Sequence, residues 1–387
     1  MGTPAIWADI VEDRAAARSE SVPWFLYLVL FASTSVMVGV IWDISWHRSI
    51  GRDTFWTPAH LAIYLGGIVA GLTCGWLALR VTFAGSREER AVSVRFWGFS
   101  APLGAWVCIW GAFAMVTSAP FDDWWHNTYG LDVKILSPPH ALLALGICAI
   151  QYGAMLAALA RQNRSATSNT QLSSLYLFGA GLLLVNAAIL ASEYLARWDM
   201  HQAIFYQVAA GVFPFVMVSA ARAGRGRWPA TTMALVYTGI TVAMIVILPR
   251  FSGQPLLGPI YVHVNRFVPP DFPLLLFVPA LFIDLAVQRY GRGRDWRLSA
   301  LIATLFLLSF LAAQWPFAEF LMTPSARNWL FVADRMPYMV PPAFQQRWNV
   351  LNPPSHLATG LSFAFVLACV STRCGFWWGN WMSRVQR

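Results

Sequence analysis

Charge is scarce in this chain, and lysine is almost missing. Charged residues make up 12% of the 387 residues, and Lys134 is the only lysine. The formal net charge of +9 therefore comes from arginine, and those arginines gather in short loops between apolar runs. Such a pattern excludes a nucleic-acid-binding surface as the source of the basic balance. The 5 cysteines (Cys74, Cys108, Cys148, Cys369 and Cys374) have no paired spacing and lie in or at the end of apolar segments. They are read as buried small residues, which excludes a disulfide frame and a zinc knuckle. A Gly-rich phosphate loop, a heptad array, a low-complexity stretch and a soluble domain are also missing.

What is present is hydrophobic length. Apolar residues reach 57%, and mean hydropathy is +0.53, outside the usual range of soluble proteins. Runs of roughly 20 apolar residues, long enough to cross a bilayer, recur along the chain. The expected fold is all-α: a polytopic membrane helix bundle with about ten spans. They fall near 24–45, 57–82, 96–118, 137–161, 173–196, 203–222, 229–249, 271–288, 297–316 and 355–376.

Arg80, Arg87, Arg90 and Arg95 follow the second span, Arg161 and Arg164 the fourth, Arg222, Arg225 and Arg227 the sixth, and Arg289, Arg292, Arg294 and Arg297 the eighth. By the positive-inside rule these loops and both termini are cytoplasmic. The expected location is a bacterial inner membrane, with the opposite loops facing the periplasm. Residues 1–23 read as a cytoplasmic tail with no cleavable signal peptide, the first span serving as insertion signal. Residues 24–161 form a four-helix unit, and 162–387 a six-helix unit with a long outer loop at 317–354.

All 7 histidines fall on the periplasmic side of this topology. Four of them belong to a duplicated pattern. Asp43-Ile-Ser-Trp-His47 precedes Thr57-Pro58-Ala59-His60, and Asp122-Asp123-Trp124-Trp125-His126 precedes Ser137-Pro138-Pro139-His140. The spacings are D-x3-H-x12-H and D-x3-H-x13-H, offset by about 80 residues, with Gly51 and Asp53 matched by Gly130 and Asp132.

An Asp and a His four apart share a helix face, and a His after Pro opens the next helix, so three ligands converge where the two helices meet. Imidazole suits copper, zinc, iron or nickel, and two His with one carboxylate leave positions open for exchange or catalysis. Asp53 and Asp132 are weaker candidates, as partners that orient a ligand imidazole. A single copy would fit helix capping and the macrodipole as well. The doubling, with matched Gly and Asp, favours metal.

The string from Asp43 to His60, including Arg52-Asp53-Thr54 and Thr57-Pro58-Ala59-His60, resembles the metal-site segment of the C-type subunit of the copper membrane monooxygenases. That family includes particulate methane monooxygenase and ammonia monooxygenase. The resemblance covers roughly residues 40–145. It implies that Asp43, His47 and His60 hold copper, with zinc the other candidate ion. It also sets Asp122, His126 and His140 at the positions of a second site, where the family has Asn in place of Asp122. It implies O2-dependent hydroxylation of a small apolar substrate, with Asp43, His47 and His60 as the catalytic metal set, a quinol as reductant, and partner subunits or an oligomer.

The other reading is a non-enzymatic copper or zinc transporter, store or assembly factor. Against transport, no Met-x-x-Met or Cys-x-x-Cys relay continues from the ligand face through the spans. Pro353-Pro354-Ser355-His356 repeats the Pro-before-His helix start, making His356 a further weak candidate. His201 with Glu193, and His263, are weaker and read as structural. Asp284, inside the eighth expected span, is either functional, as intramembrane carboxylates are by default, or paired with Arg289.

Overall fold

The computed structural model describes residues 22–51, 53–130, 136–165, 169–195, 199–254, 256, 264–271, 273–291, 293, 295–321, 323–326, 328 and 354–387. Among these residues, eleven helices follow in chain order. They are α1 (Trp24–Ser49), α2 (Pro58–Ala84), α3 (Arg87–Ala91), α4 (Leu103–Tyr129), α5 (Pro138–Arg164) and α6 (Thr170–Leu190). After these come α7 (Ala203–Ala223), α8 (Pro229–Ile247), α9 (Phe277–Tyr290), α10 (Asp295–Leu321) and α11 (Pro354–Met382). Among the described residues, 9 helices are long and apolar enough to cross a membrane. In hydrocarbon a backbone must satisfy its own polar groups, and helices do so within one segment. The chain is a multi-pass helical membrane protein.

The eighth expected span, 271–288, is helical only from Phe277. α9 has 14 residues, about 21 Å at 1.5 Å per residue. Pro269, Pro270 and Pro273 deny the preceding stretch a helical hydrogen-bond pattern. Its carbonyls find side chains on α8 instead: the Tyr237 hydroxyl donates to Pro273 O at 3.1 Å, and Thr238 to Leu274 O at 3.1 Å. Residues 264–271 cross the end of α1, where Arg48 donates to Pro269 O and to Asp271, and Ser45 to Val268 O.

Asp284 is neither a free intramembrane carboxylate nor the partner of Arg289. It accepts from Ala230 N, Thr231 N and the Thr231 hydroxyl at 3.0, 2.8 and 2.7 Å, so α9 supplies the N-cap of α8. The third expected span, 96–118, is also displaced. Residues 94–101 form an antiparallel hairpin, β1 (Val94–Phe96) with β2 (Phe99–Ala101), and helix begins at Leu103. Its turn sets Trp97 and Gly98 at φ 47° and 85°.

Small residues let consecutive helices approach closely. A methyl group on Gly66 of α2 would stand 2.5 Å from the Ala32 carbonyl oxygen of α1. Gly146 of α5 and Gly111 of α4 do the same to each other at 2.7 Å. The offset of about 80 residues that relates the two metal motifs also carries Ala32 to Gly111 and Gly66 to Gly146. The duplication is therefore one of packing as well as of ligands.

Gly146→Leu should lower the thermal unfolding midpoint in detergent, by a loss of about 1–3 kcal/mol as expected for an overpacked contact. Gly75→Leu, where nothing lies within 4 Å of the added carbon, should leave it nearly unchanged. Equal effects of the two changes would contradict this account of the helix pair.

Candidate metal centre

The first cluster is assembled by a turn. α1 ends with Ile50 N and Gly51 N both donating to Trp46 O at 2.8 and 3.1 Å, and Gly51 takes φ 102°, a left-handed conformation that glycine adopts without strain. Thr54 N then donates to the Thr57 hydroxyl at 2.8 Å, and Thr57 N returns a bond to Thr54 O at 2.9 Å. Pro58 begins α2, with its φ already suited to a helix. This closed turn holds the Thr54 carbonyl 2.9 Å from His60 Nδ1.

A carbonyl only accepts, so His60 Nδ1 carries the proton and Nε2 presents its lone pair. That lone pair points at two carboxylates, Asp53 Oδ2 at 2.8 Å and Asp43 Oδ1 at 3.2 Å. Asp43 Oδ1 is buried and makes no hydrogen bond. The contact is stable only if the ring takes a second proton or a cation sits between the groups. Oxygen and nitrogen of Asp43, Asp53 and His60 all lie within 4.8 Å of one another, a fit for one metal ion.

Asp53, expected only as an orienting partner, thus stands in the cluster itself. His47 Nε2 lies 3.7 Å from Asp43 Oδ2 and 3.6 Å from Asp53 Oδ2. It flanks the two carboxylates and is not within the tight Asp43–Asp53–His60 set. Burial alone would raise the Asp53 carboxyl, but the hydrogen bonds and charge of His47 and His60 override it and hold it well below the usual carboxylate range.

The second cluster repeats the plan with differences. Asp122 Oδ1 is 3.3 Å from His126 Nε2 and 3.3 Å from His140 Nε2, so one oxygen faces both imidazoles. Asp122, His126 and His140 lie within 4.8 Å of one another. Gly130, at φ 89°, ends α4 by donating to His126 O at 3.0 Å. Pro120, two residues before Asp122, deprives Val116 O of its helical donor and frees the last turn of α4 to bend. Asp132 lies outside the described residues.

Both clusters open on one cavity of about 850 Å³. Asp43, Asp53 and His60 line it from one side, and Asp122, His126 and His140 from the other. Between and below them the wall is Ile63, Tyr64, Gly67, Met115, Val116 and Leu143. It is a polar mouth on an apolar chamber.

The weaker histidines fall elsewhere. His356 is exposed in the first turn of α11 and belongs to neither cluster. His263 lies outside the described residues, as does most of the outer loop 317–354. His201 Nε2 lies 3.2 Å from Glu319 Oε1 of α10, a partner that local sequence does not offer, and its ring meets Trp315 edge-on at 4.7 Å. Burial holds His201 below its usual value despite Glu319. Cys74 and Cys108, expected as buried small residues, are each 1% exposed, on α2 and α4.

Comparison with protein-family models, with curated proteins and with solved structures finds no match to this chain. Fold and site together define a multi-pass helical membrane protein carrying twin Asp/His clusters on one cavity.

Near His201, burial pushes the Asp199 carboxyl up to about 6. An acid whose folded value is raised is penalised once it ionises, so the penalty is absent below the usual 3.8 and complete above about 6. Asp199→Asn should therefore raise the unfolding midpoint at pH 8 and leave it unchanged at pH 3.5. The same shift at both pH values would contradict the assignment.

Proposed function

We propose that this chain binds a transition-metal ion at each Asp/His cluster. The ion is copper, and the protein uses it in O2-dependent hydroxylation of a small apolar molecule. The observation that carries this reading is the shared cavity, because both ligand sets line one chamber whose remaining wall is largely apolar. An apolar chamber holds a molecule that partitions from lipid and excludes water from the ligands. When bound, the metal supplies electron exchange with O2. The chain supplies the rest. The Thr54 carbonyl fixes the His60 ring, Asp53 and Asp43 bring charge to its free nitrogen, and Ile63, Gly67, Met115 and Leu143 shape the space for substrate.

Asp43 and Asp53 together balance a divalent ion at the first cluster. The resemblance to the C-type subunit of the copper membrane monooxygenases supports copper at both sites. It also supports a quinol reductant, partner subunits and a periplasmic orientation in a bacterial inner membrane. A second reading rests on Asp53. Two carboxylates favour a harder ion than copper, such as zinc, in a non-enzymatic store or assembly factor.

Metal analysis of the detergent-purified protein tests the reading. The wild type should hold copper, with His60→Ala and His126→Ala each losing about one equivalent, a loss expected when a ligand is removed. Absence of any transition metal, or unchanged content in both variants, would sink it. Zinc in place of copper, with no O2 uptake when a quinol and a short alkane or ammonia are supplied, would favour the store.

A further inference from the structure

We propose that the β1–β2 hairpin is a docking site for an anionic phospholipid. Arg87 and Arg95 take the headgroup phosphate, and Trp97 lies against the upper acyl chains. The site is at the ends of α2 and α4 opposite the metal clusters and is independent of them. The turn of the hairpin is strained. Trp97 and Gly98 take φ of 47° and 85°, positive as in a type I′ turn, where Asn-Gly is the favoured pair. A bulky L side chain resists that conformation. Trp97 is nonetheless 79% exposed, so burial within the chain does not offset the strain. Its ring stacks on Phe96 at 4.9 Å and meets Trp110 edge-on at 6.0 Å. A backbone strained to hold an exposed tryptophan points to a contact outside the chain.

The level of the hairpin identifies that contact. α4 has 27 residues, about 40 Å at 1.5 Å per residue, against a hydrocarbon core of about 30 Å. The first turn of α4 therefore stands in the headgroup layer. From there the hairpin folds back along α4, with Phe96 meeting Trp106 and Trp110 at 5.5 and 6.0 Å. Trp110 is about two turns beyond Leu103. Trp97 beside it lies where headgroups give way to acyl chains, the depth at which tryptophan is enriched. Strand backbone at this depth needs partners, and the helices supply them. Trp106 Nε1 donates to Val94 O at 2.9 Å, and Ser100 N donates to the Thr82 hydroxyl at 2.8 Å.

Register gives the hairpin two faces. Val94 opposite Ala101 and Phe96 opposite Phe99 share one, which rests on α2 and α4 through Phe83 and Trp106. Arg95, opposite Ser100, takes the other. Residues 80–101 hold four arginines and two glutamates. Arg80 pairs with Glu89, and Arg90 Nε donates to Val81 O at 3.3 Å. Glu89 also accepts from Ser86 N at 3.0 Å, and Glu88 is exposed. Arg87 and Arg95 are exposed and bond to no described residue. A guanidinium binds phosphate through paired N–H donors. Two uncommitted guanidinium groups at headgroup level, beside a tryptophan at acyl level, therefore match an anionic phospholipid. A zwitterionic lipid would bring a cation beside these arginines and is the poorer fit.

The test is titration of the full-length, delipidated protein in detergent with phosphatidylglycerol or phosphatidylcholine, bound lipid being counted by native mass spectrometry. The wild type should bind phosphatidylglycerol the more tightly. Arg87→Gln/Arg95→Gln should lose roughly tenfold in that affinity, while the charge-matched Arg227→Gln/Arg289→Gln keeps it. Trp97→Asn gives the turn a residue that suits its φ, so its unfolding midpoint in lipid-free detergent should rise while its phosphatidylglycerol affinity falls. Equal affinity of the wild type for the two lipids would overturn the proposal, as would equal losses in the two arginine double variants. A dimer that excludes lipid would do the same. A lowered midpoint with unchanged lipid affinity in Trp97→Asn would assign that ring to packing within the chain and remove it from the site. If Trp97→Asn does not fold, the arginine variants, whose side chains bond to no described residue at the hairpin, decide the matter.

Discussion

The close backbone contact within each helical hairpin is the constraint on which the rest of this structure depends. Where Gly66 meets Ala32, and where Gly146 meets Gly111, no larger side chain fits between the helices. In lipid there is little hydrophobic force between helices, so contacts of this kind carry much of their association. Their consequence is felt several turns away. A hairpin closed at these points brings the last turn of its first helix beside the first turn of its second, which is where Asp43 finds His60 and Asp122 finds His140. Ligand convergence follows from packing that involves no ligand.

Within that frame the two clusters have diverged through their loops and local backbone. The first is locked by the Thr54–Thr57 turn, which commits one nitrogen of His60 and aims the other at two carboxylates. The second has Pro120 in the helix just before its aspartate, and there a single Asp122 oxygen faces both rings. The His60 ring of the first cluster is referenced to a fixed backbone carbonyl, whereas the Asp122 carboxylate of the second stands on a turn released from its full helical hydrogen-bond pattern.

Much of this is legible in the sequence. Apolar run length identifies the nine long helices of the described residues, and the motif spacing identifies Asp43 with His60, and Asp122 with His126 and His140, as side chains that converge, while His47 of the same motif only flanks its cluster. What escapes has physical reasons. Hydropathy cannot tell a helix from an apolar stretch interrupted by proline, so 271–288 reads as a span although its carbonyls are satisfied by Tyr237 and Thr238 of another helix. Periodicity does not reveal a cap donated across helices, so Asp284 looks like a functional charge. Asp53 carries little weight in the sequence because its place in the cluster depends on how the Gly51 turn folds back.

The cavity itself arises from the seam between the hairpins. α2 and α4 come together where Gly71 faces Ala112, residues small enough to bring the two axes close. Toward the ligand end the facing positions enlarge to Ile63, Tyr64 and His60 on α2, and to Met115, Ser118 and Asp122 on α4. Larger side chains wedge the helices apart, and the space between them is the chamber. Tyr64 sharpens the asymmetry, since the corresponding residue of the second repeat is Ala144. A bulky ring is therefore present on one wall only. The same small residues that close the seam below thus leave it open above, so the fold makes the chamber and directs both ligand sets into it.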